Sequence, residues 1–157
     1  MISLAVLILD QVTKYLVSRF TAPGSLREII PGLLNLVHTS NPGVAFGLLA
    51  DSEAPWRGPL LIFFSLAVMV IILWILATHR AGGVFGQCGM ALVLGGAAGN
   101  VLDRFMLASV TDFIDFHIGT YHWYTFNVAD SAIVIGAGLI VLEVLRDGRQ
   151  HARQERA

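Results

Sequence analysis

LLIFFSLAVMVIILWILAT, residues 60–78, is nineteen residues without one charge. At about 1.5 Å of rise per helical residue, that length matches a hydrocarbon core of roughly 30 Å. The segment reads as a membrane-spanning helix, and it fixes the solvent in which the rest of the chain is to be read. Composition agrees: 55% of the residues are hydrophobic and only 13% charged, where a soluble domain carries about a quarter charged residues.

Three further apolar segments lie around it. Residues 84–104 are rich in small side chains, with Ala91, Gly95 and Gly99 in register at i, i+4, i+8, a pattern that lets helix backbones approach closely inside a membrane. That segment ends in Asn100, Asp103 and Arg104. Residues 127–145 form another span, with Asp130 near its start and Glu143 near its end. Residues 2–20 are interrupted by Asp10 and Lys14, an i, i+4 pair with the acid first, the favourable order for an ion pair on one helix face. No basic group precedes Asp10, as the n-region of a cleaved signal peptide would require, so this segment too is expected to span, with its ion pair turned to protein.

Between residues 21 and 59 the composition changes, and Pro23, Gly24, Pro31, Gly32, Pro42, Gly43, Pro55, Gly58 and Pro59 break any long helix. Residues 33–40 alternate loosely at the period of a strand. The run GVAFGLLA, residues 43–50, is long enough to lie on a bilayer but too short to cross it. The expected fold is therefore an all-α membrane protein: one domain over residues 1–157, four transmembrane helices, and on the outer face a small β-like cap with a short interfacial helix. Arg80 and the tail arginines Arg146, Arg149, Arg153 and Arg156 put both termini on the cytoplasmic side by the positive-inside rule. The cap, with Arg27 and Arg57, then falls outside.

A net charge of −1 and the lack of a basic, aromatic-interleaved patch argue against a nucleic-acid partner. The single cysteine, Cys88, lies in an apolar run and reads as a small buried hydrophobe.

The chemistry is concentrated in SVTDFIDFHIGTYHWYTFNVADS, residues 109–131. Asp112, Asp115 and Asp130 lie beside segments that belong in a membrane, where an acidic side chain is costly and usually functional. Asp112 and Asp130 are 18 residues apart, about 27 Å on one continuous helix. Gly119 and the polar, aromatic run after it instead suggest a turn between two antiparallel helices, with both acids at the same end. Two carboxyls brought together share a proton, one remaining acid and the other base, which is the equipment for splitting a peptide bond with water. Asp115 would share a helical face with Asp112 and is its rival.

Other readings compete. Asn127-x-x-Asp130 and Ser109-x-x-Asp112 have the form of helix caps. A metal site would draw on His117 and His122, but their spacing of five residues suits no helical ligand pair, and no H-E-x-x-H is present. An aromatic belt at headgroup level explains these histidines better. No cofactor is expected. A small proton- or cation-coupled carrier would use the same carboxylates, although carriers tend to show internal repeats and none is visible here.

The blocks LDQVTK (9–14), NPGVAFG (41–47), GGAAGNVLDR (95–104), VTDFIDF (110–116) and FNVADSAI (126–133) resemble the lipoprotein signal peptidases, or signal peptidase II family. The resemblance implies a four-helix aspartyl peptidase of the bacterial inner membrane that cleaves prolipoproteins before a cysteine already carrying diacylglycerol. It implies a catalytic pair at Asp112 and Asp130, with supports at Asp10, Lys14, Asn41, Gly43, Phe46, Asn100, Asp103, Arg104 and Asn127. Globomycin-type inhibitors would occupy the same cleft.

Overall fold

The computed structural model describes residues 1–43 and 56–154. Its helices are α1 (Ile2–Phe20), α2 (Arg57–Ala77), α3 (Val84–Leu107) and α4 (Val128–Gln154). The strands are β1 (Leu26–Ile30), β2 (Leu34–Asn41), β3 (Val110–Ile118) and β4 (Tyr121–His122), paired antiparallel in that order. The strand expected at residues 33–40 is β2. The expected interfacial segment, residues 43–50 with Phe46, lies outside the described residues apart from Gly43.

Helix α3 is the centre of the bundle and packs against the other three helices. Its buried residues are glycines and Ala97 on the one hand, Asn100, Val101 and Asp103 on the other. The close approach is real on two sides. A Cβ at Gly95 would lie 2.6 Å from the Ser3 carbonyl of α1, and one at Gly89 would lie 2.6 Å from the Gly136 carbonyl of α4. Helix α2 is apolar all round and buries only Leu61 and Ile72 of its length, while Phe63, Val70, Ile71 and Trp74 face outward. A helix with no polar face is suited to lipid.

Among the described residues, α2, α3 and α4 (as far as Gly148) are long and apolar enough to cross a membrane. Helix α1 is not in that group. Its Asp10 and Lys14 lower its hydropathy, yet both are buried.

The all-α expectation is corrected by the sheet. The helical alternative for the segment around Asp112 and Asp115 is overturned: Val110–Ile118 form β3. Ala108 adopts the left-handed conformation (φ 59°) that ends α3, and the β-branched and aromatic residues that follow suit a pleated, half-buried strand. Ser109 is therefore no helix cap: it meets Ser40 through their hydroxyls at 2.7 Å. At the opposite end of the bundle Glu143 of α4 caps α3, a contact that only the assembled bundle brings about. Its carboxylate accepts from Gly83 N at 2.8 Å and Gly86 N at 3.2 Å, meeting backbone donors left open at a helix start.

Candidate active site

Helix α3 ends and β3 begins beside the first turn of α4, so residues distant in sequence meet under the sheet. Asp112 is 2% exposed and Asn127 fully buried. The Asn127 carboxamide donates to Asp112 Oδ1 at 2.7 Å, and Asn41 of β2 donates to Asp112 Oδ2 at 2.9 Å. Asn100 donates to Asp130 Oδ1 at 2.8 Å. Asp112, Asp130, Asn41, Asn100 and Arg104 all line one cavity of about 430 Å³.

The capping expectation at Asn127 also holds, and it coexists with the site. Asn127 Oδ1 accepts from Asp130 N at 2.9 Å, and Asp130 Oδ2 accepts from Asn127 N at 3.3 Å, a reciprocal capping box. One oxygen of Asp130 thus starts α4, while the other is held by Asn100. This anchors the carboxylate to backbone, which a solvent-facing rotamer could not do.

Burial raises the Asp112 carboxyl from 3.8 to about 6; the bonds from Asn41 and Asn127 oppose the rise, and the charge of Asp130 adds to it. A proton is therefore retained on this carboxyl well above the usual range.

Arg104 reaches across the site. Its Nη1 donates to the Asn100 carbonyl at 3.2 Å and its Nη2 to the Gly43 carbonyl at 2.9 Å. Its Nε is buried without a hydrogen-bond partner among the described residues. Asp10, Lys14 and Asp103 lie behind the cavity as a buried ion cluster, with Lys14 Nζ 2.8 Å from Asp10 and 3.0 Å from Asp103.

Asp115 is not a rival for the pair. It lies on the other face of the sheet, accepting from Asn35 at 2.8 Å and paired with His122 Nδ1 at 2.9 Å. His122 stacks on His117 with ring centroids 4.8 Å apart. Among the described residues no group of three or more His, Cys, Asp or Glu side chains could hold a metal ion.

Sequence reading missed two sets of residues. Gln11 donates to Asp103 at 2.9 Å and to Asp10 at 3.2 Å; its place beside Asp10 in a polar interruption of an apolar helix was the available signal. The wall of the cavity is built by Trp123, Tyr124, Thr125 and Phe126 with Ile133, Val134 and Ile135. It forms because Phe126 pairs with Ile114 through N–H and carbonyl, a contact that no local pattern announces.

The sequence model described as signal peptidase (SPase) II matches residues 2–146. The chain belongs to the signal peptidase II family. It is 44% identical to the lipoprotein signal peptidase of Solibacter usitatus over 144 residues, covering 92% of this chain and 88% of that protein. It is 40% identical to that of Syntrophotalea carbinolica over 151 residues, covering 96% and 92%. A solved bacterial membrane enzyme superposes with a TM-score of 0.83 at 32% identity, covering 94% of this chain and 87% of the other. Membership of signal peptidase II makes this chain a multi-pass membrane peptidase, and the carrier alternative finds no support in these relatives.

Proposed function

We propose that this signal peptidase II is an aspartic endopeptidase of the bacterial inner membrane. It removes the signal peptide from prolipoproteins, cutting just before the diacylglyceryl-modified cysteine, with Asp112 and Asp130 as the catalytic pair. One observation carries the reading: two carboxylates from separate elements, Asp112 buried and Asp130 half-buried, are each held by an asparagine and open into one largely apolar cavity.

In the reaction, the ionised member of the pair takes a proton from water as the oxygen attacks the scissile carbonyl carbon. The protonated member donates to the carbonyl oxygen. As the tetrahedral intermediate collapses, the C–N bond breaks, the leaving nitrogen receives the proton first taken from water, and one hydroxyl of the intermediate returns its proton to the member that donated it as the C=O bond re-forms. The pair titrates as a unit, so the roles belong to it jointly. Arg104, Asn100 and Asn127 orient the substrate backbone and the carboxylates. Asn41 and Gly43 meet the substrate at the lipidated cysteine, and the acyl chains remain in lipid along the Ile133–Ile135 wall.

Helix α1 serves as a fourth span. Its outward residues Leu4, Ile8, Leu9, Val12 and Leu16 are apolar, and its buried Asp10 and Lys14 are paired within the protein, so neither of these mid-helix charges meets lipid. The chain then forms a single domain with both termini cytoplasmic and the carboxylate pair towards the outer face. Globomycin-type inhibitors compete for the same cavity.

The test is cleavage of a lipidated prolipoprotein by purified protein, with and without chelator. Chelator-insensitive cleavage that Asp112→Asn and Asp130→Asn each abolish, in folded protein, supports the reading. Full activity in either variant removes that residue from catalysis.

A further inference from the structure

We infer that Lys14 is a positioning residue for the carboxylate pair, acting through the carboxamide of Asn100. The inference rests on the aspartic reading above and extends it to the part of α1 that never touches the cavity.

The ammonium of Lys14 has three donors and three acceptors around it. Asp10 Oδ2 lies at 2.8 Å, Asp103 Oδ2 at 3.0 Å and Asn100 Oδ1 at 3.0 Å. With Lys14 against Oδ1, the amide nitrogen of Asn100 has one direction left, towards Asp130 Oδ1 at 2.8 Å. A reversed carboxamide would set its NH2 against the ammonium and against the Asn127 NH2, which now donates to Oδ1 at 3.3 Å. It would also turn an oxygen on the Asp130 carboxylate. The buried charge of Lys14 thus decides that Asp130 receives a donor.

The same cluster grips both catalytic elements one residue upstream of each acid. Asp10 Oδ1 accepts from Ala129 N at 2.9 Å, and Asp103 Oδ2 accepts from Thr111 N at 3.1 Å. Gly99 is required where Asp10 passes: a Cβ there would strike the Asp10 carboxylate. A shared ion cluster on α1 and α3 therefore sets where β3 and α4 deliver Asp112 and Asp130. Buried ion pairs contribute little net stability, whereas misplacement of reacting groups by about 1 Å costs on the order of 100-fold in rate.

Lys14→Met alone strands two buried carboxylates, so the informative change is Lys14→Met with Asp10→Asn. That double variant keeps the net charge of the cluster and an oxygen for Ala129 N, and removes the cation that orients Asn100. Steady-state cleavage of a lipidated prolipoprotein peptide in detergent would be measured for it, for Asn100→Ala and for the combination, with thermal unfolding as the check on folding. The expected result is a kcat lower by on the order of 100-fold, a KM within about twofold, and no additional loss on the Asn100→Ala background. A kcat within about threefold of the parent, or the full loss recurring without Asn100, would overturn the inference. Should the double variant not fold, Asn100→Ala decides: a kcat at the parent level refutes the relay, and a loss confined to kcat upholds it. Inactive Asp112→Asn and Asp130→Asn variants beside an additive cycle would sink only this inference. Activity in those variants would sink the aspartic reading itself.

Discussion

Asp112 and Asp115 stand three residues apart on β3 and face opposite sides of the sheet. Their partners on β2, Asn41 and Asn35, are six residues apart and would share a face in a regular strand. They do not, because the register shifts between Leu36 and Thr39. One extra residue flips every side chain beyond it, so Asn35 meets Asp115 on one face and Asn41 meets Asp112 on the other. The consequence for activity is a sharp contrast between neighbours. Asp112→Asn should lower kcat by about 1,000-fold or more, the scale of a lost acid–base group. Asp115→Asn, which loosens His122 and Asn35 on the face away from the cavity, should cost less than about tenfold and act mainly on KM. Cleavage kinetics on a lipidated peptide measure both.

The two carboxyls also respond oppositely to pH. Asp112 is raised from 3.8 to about 6, so between those values the folded state binds the proton that the unfolded chain has lost. Stability therefore falls as pH rises through that window. For Asp115 burial pushes the carboxyl up, but the bonds from Asn35 and His122 outweigh it and the net shift is downward. Its contribution is present above 3.8 and is lost as pH falls below that value towards its folded pKa. Thermal unfolding in detergent across a pH series tests this. The Asp112→Asn variant should gain on the parent from pH 3.8 to about 6, whatever constant offset the amide brings. Asp115→Asn should be less stable at neutral pH, with the deficit closing in acid.

Helices α2, α3 and α4 were legible because lipid imposes a simple requirement, about 20 apolar residues in a row. The carboxylates were legible because charge is scarce in this chain. What stayed hidden depends on contacts between distant residues. The β-branched and aromatic residues around Asp112 permit a strand, but what makes residues 110–118 one is the end of α3 at Ala108 and the pairing with β2. The sequence does not say that Phe126 will pair with Ile114 and so bring Trp123 and Tyr124 over the cavity. Asp10 and Lys14 were read as a local pair, which they are; that they also reach Ala129 and Asn100 required the bundle to be assembled.

Two glycines of α4 separate packing from helix propensity. A Cβ at Gly136 would lie 2.5 Å from the Gly89 carbonyl and 2.8 Å from a Val93 methyl, whereas one at Gly138 meets nothing within 4 Å. Gly136→Ala should push α4 from α3 and cost about 1–3 kcal/mol. Gly138→Ala should be neutral or gain up to about 1 kcal/mol from lower backbone entropy. Unfolding temperatures in detergent rank the two, and equal effects would contradict the close crossing.

Asn127 holds two jobs that substitution can separate. Its Oδ1 caps α4 at Asp130 N, and its Nδ2 donates to Asp112. Serine is an effective N-cap but has one short hydroxyl, which cannot serve the helix and also reach the Asp112 carboxylate. Asn127→Ser should keep α4 within about 1 kcal/mol of its parent stability, while kcat falls because Asp112 loses its shortest hydrogen bond. Asn127→Ala should lose both, with a stability deficit of about 0.5–2 kcal/mol for the missing cap added to the kinetic defect. Paired unfolding and cleavage measurements on the two variants check this. Equal stability would place the cap elsewhere, and a parent-level kcat in Asn127→Ser would show that Asp112 needs no donor from α4.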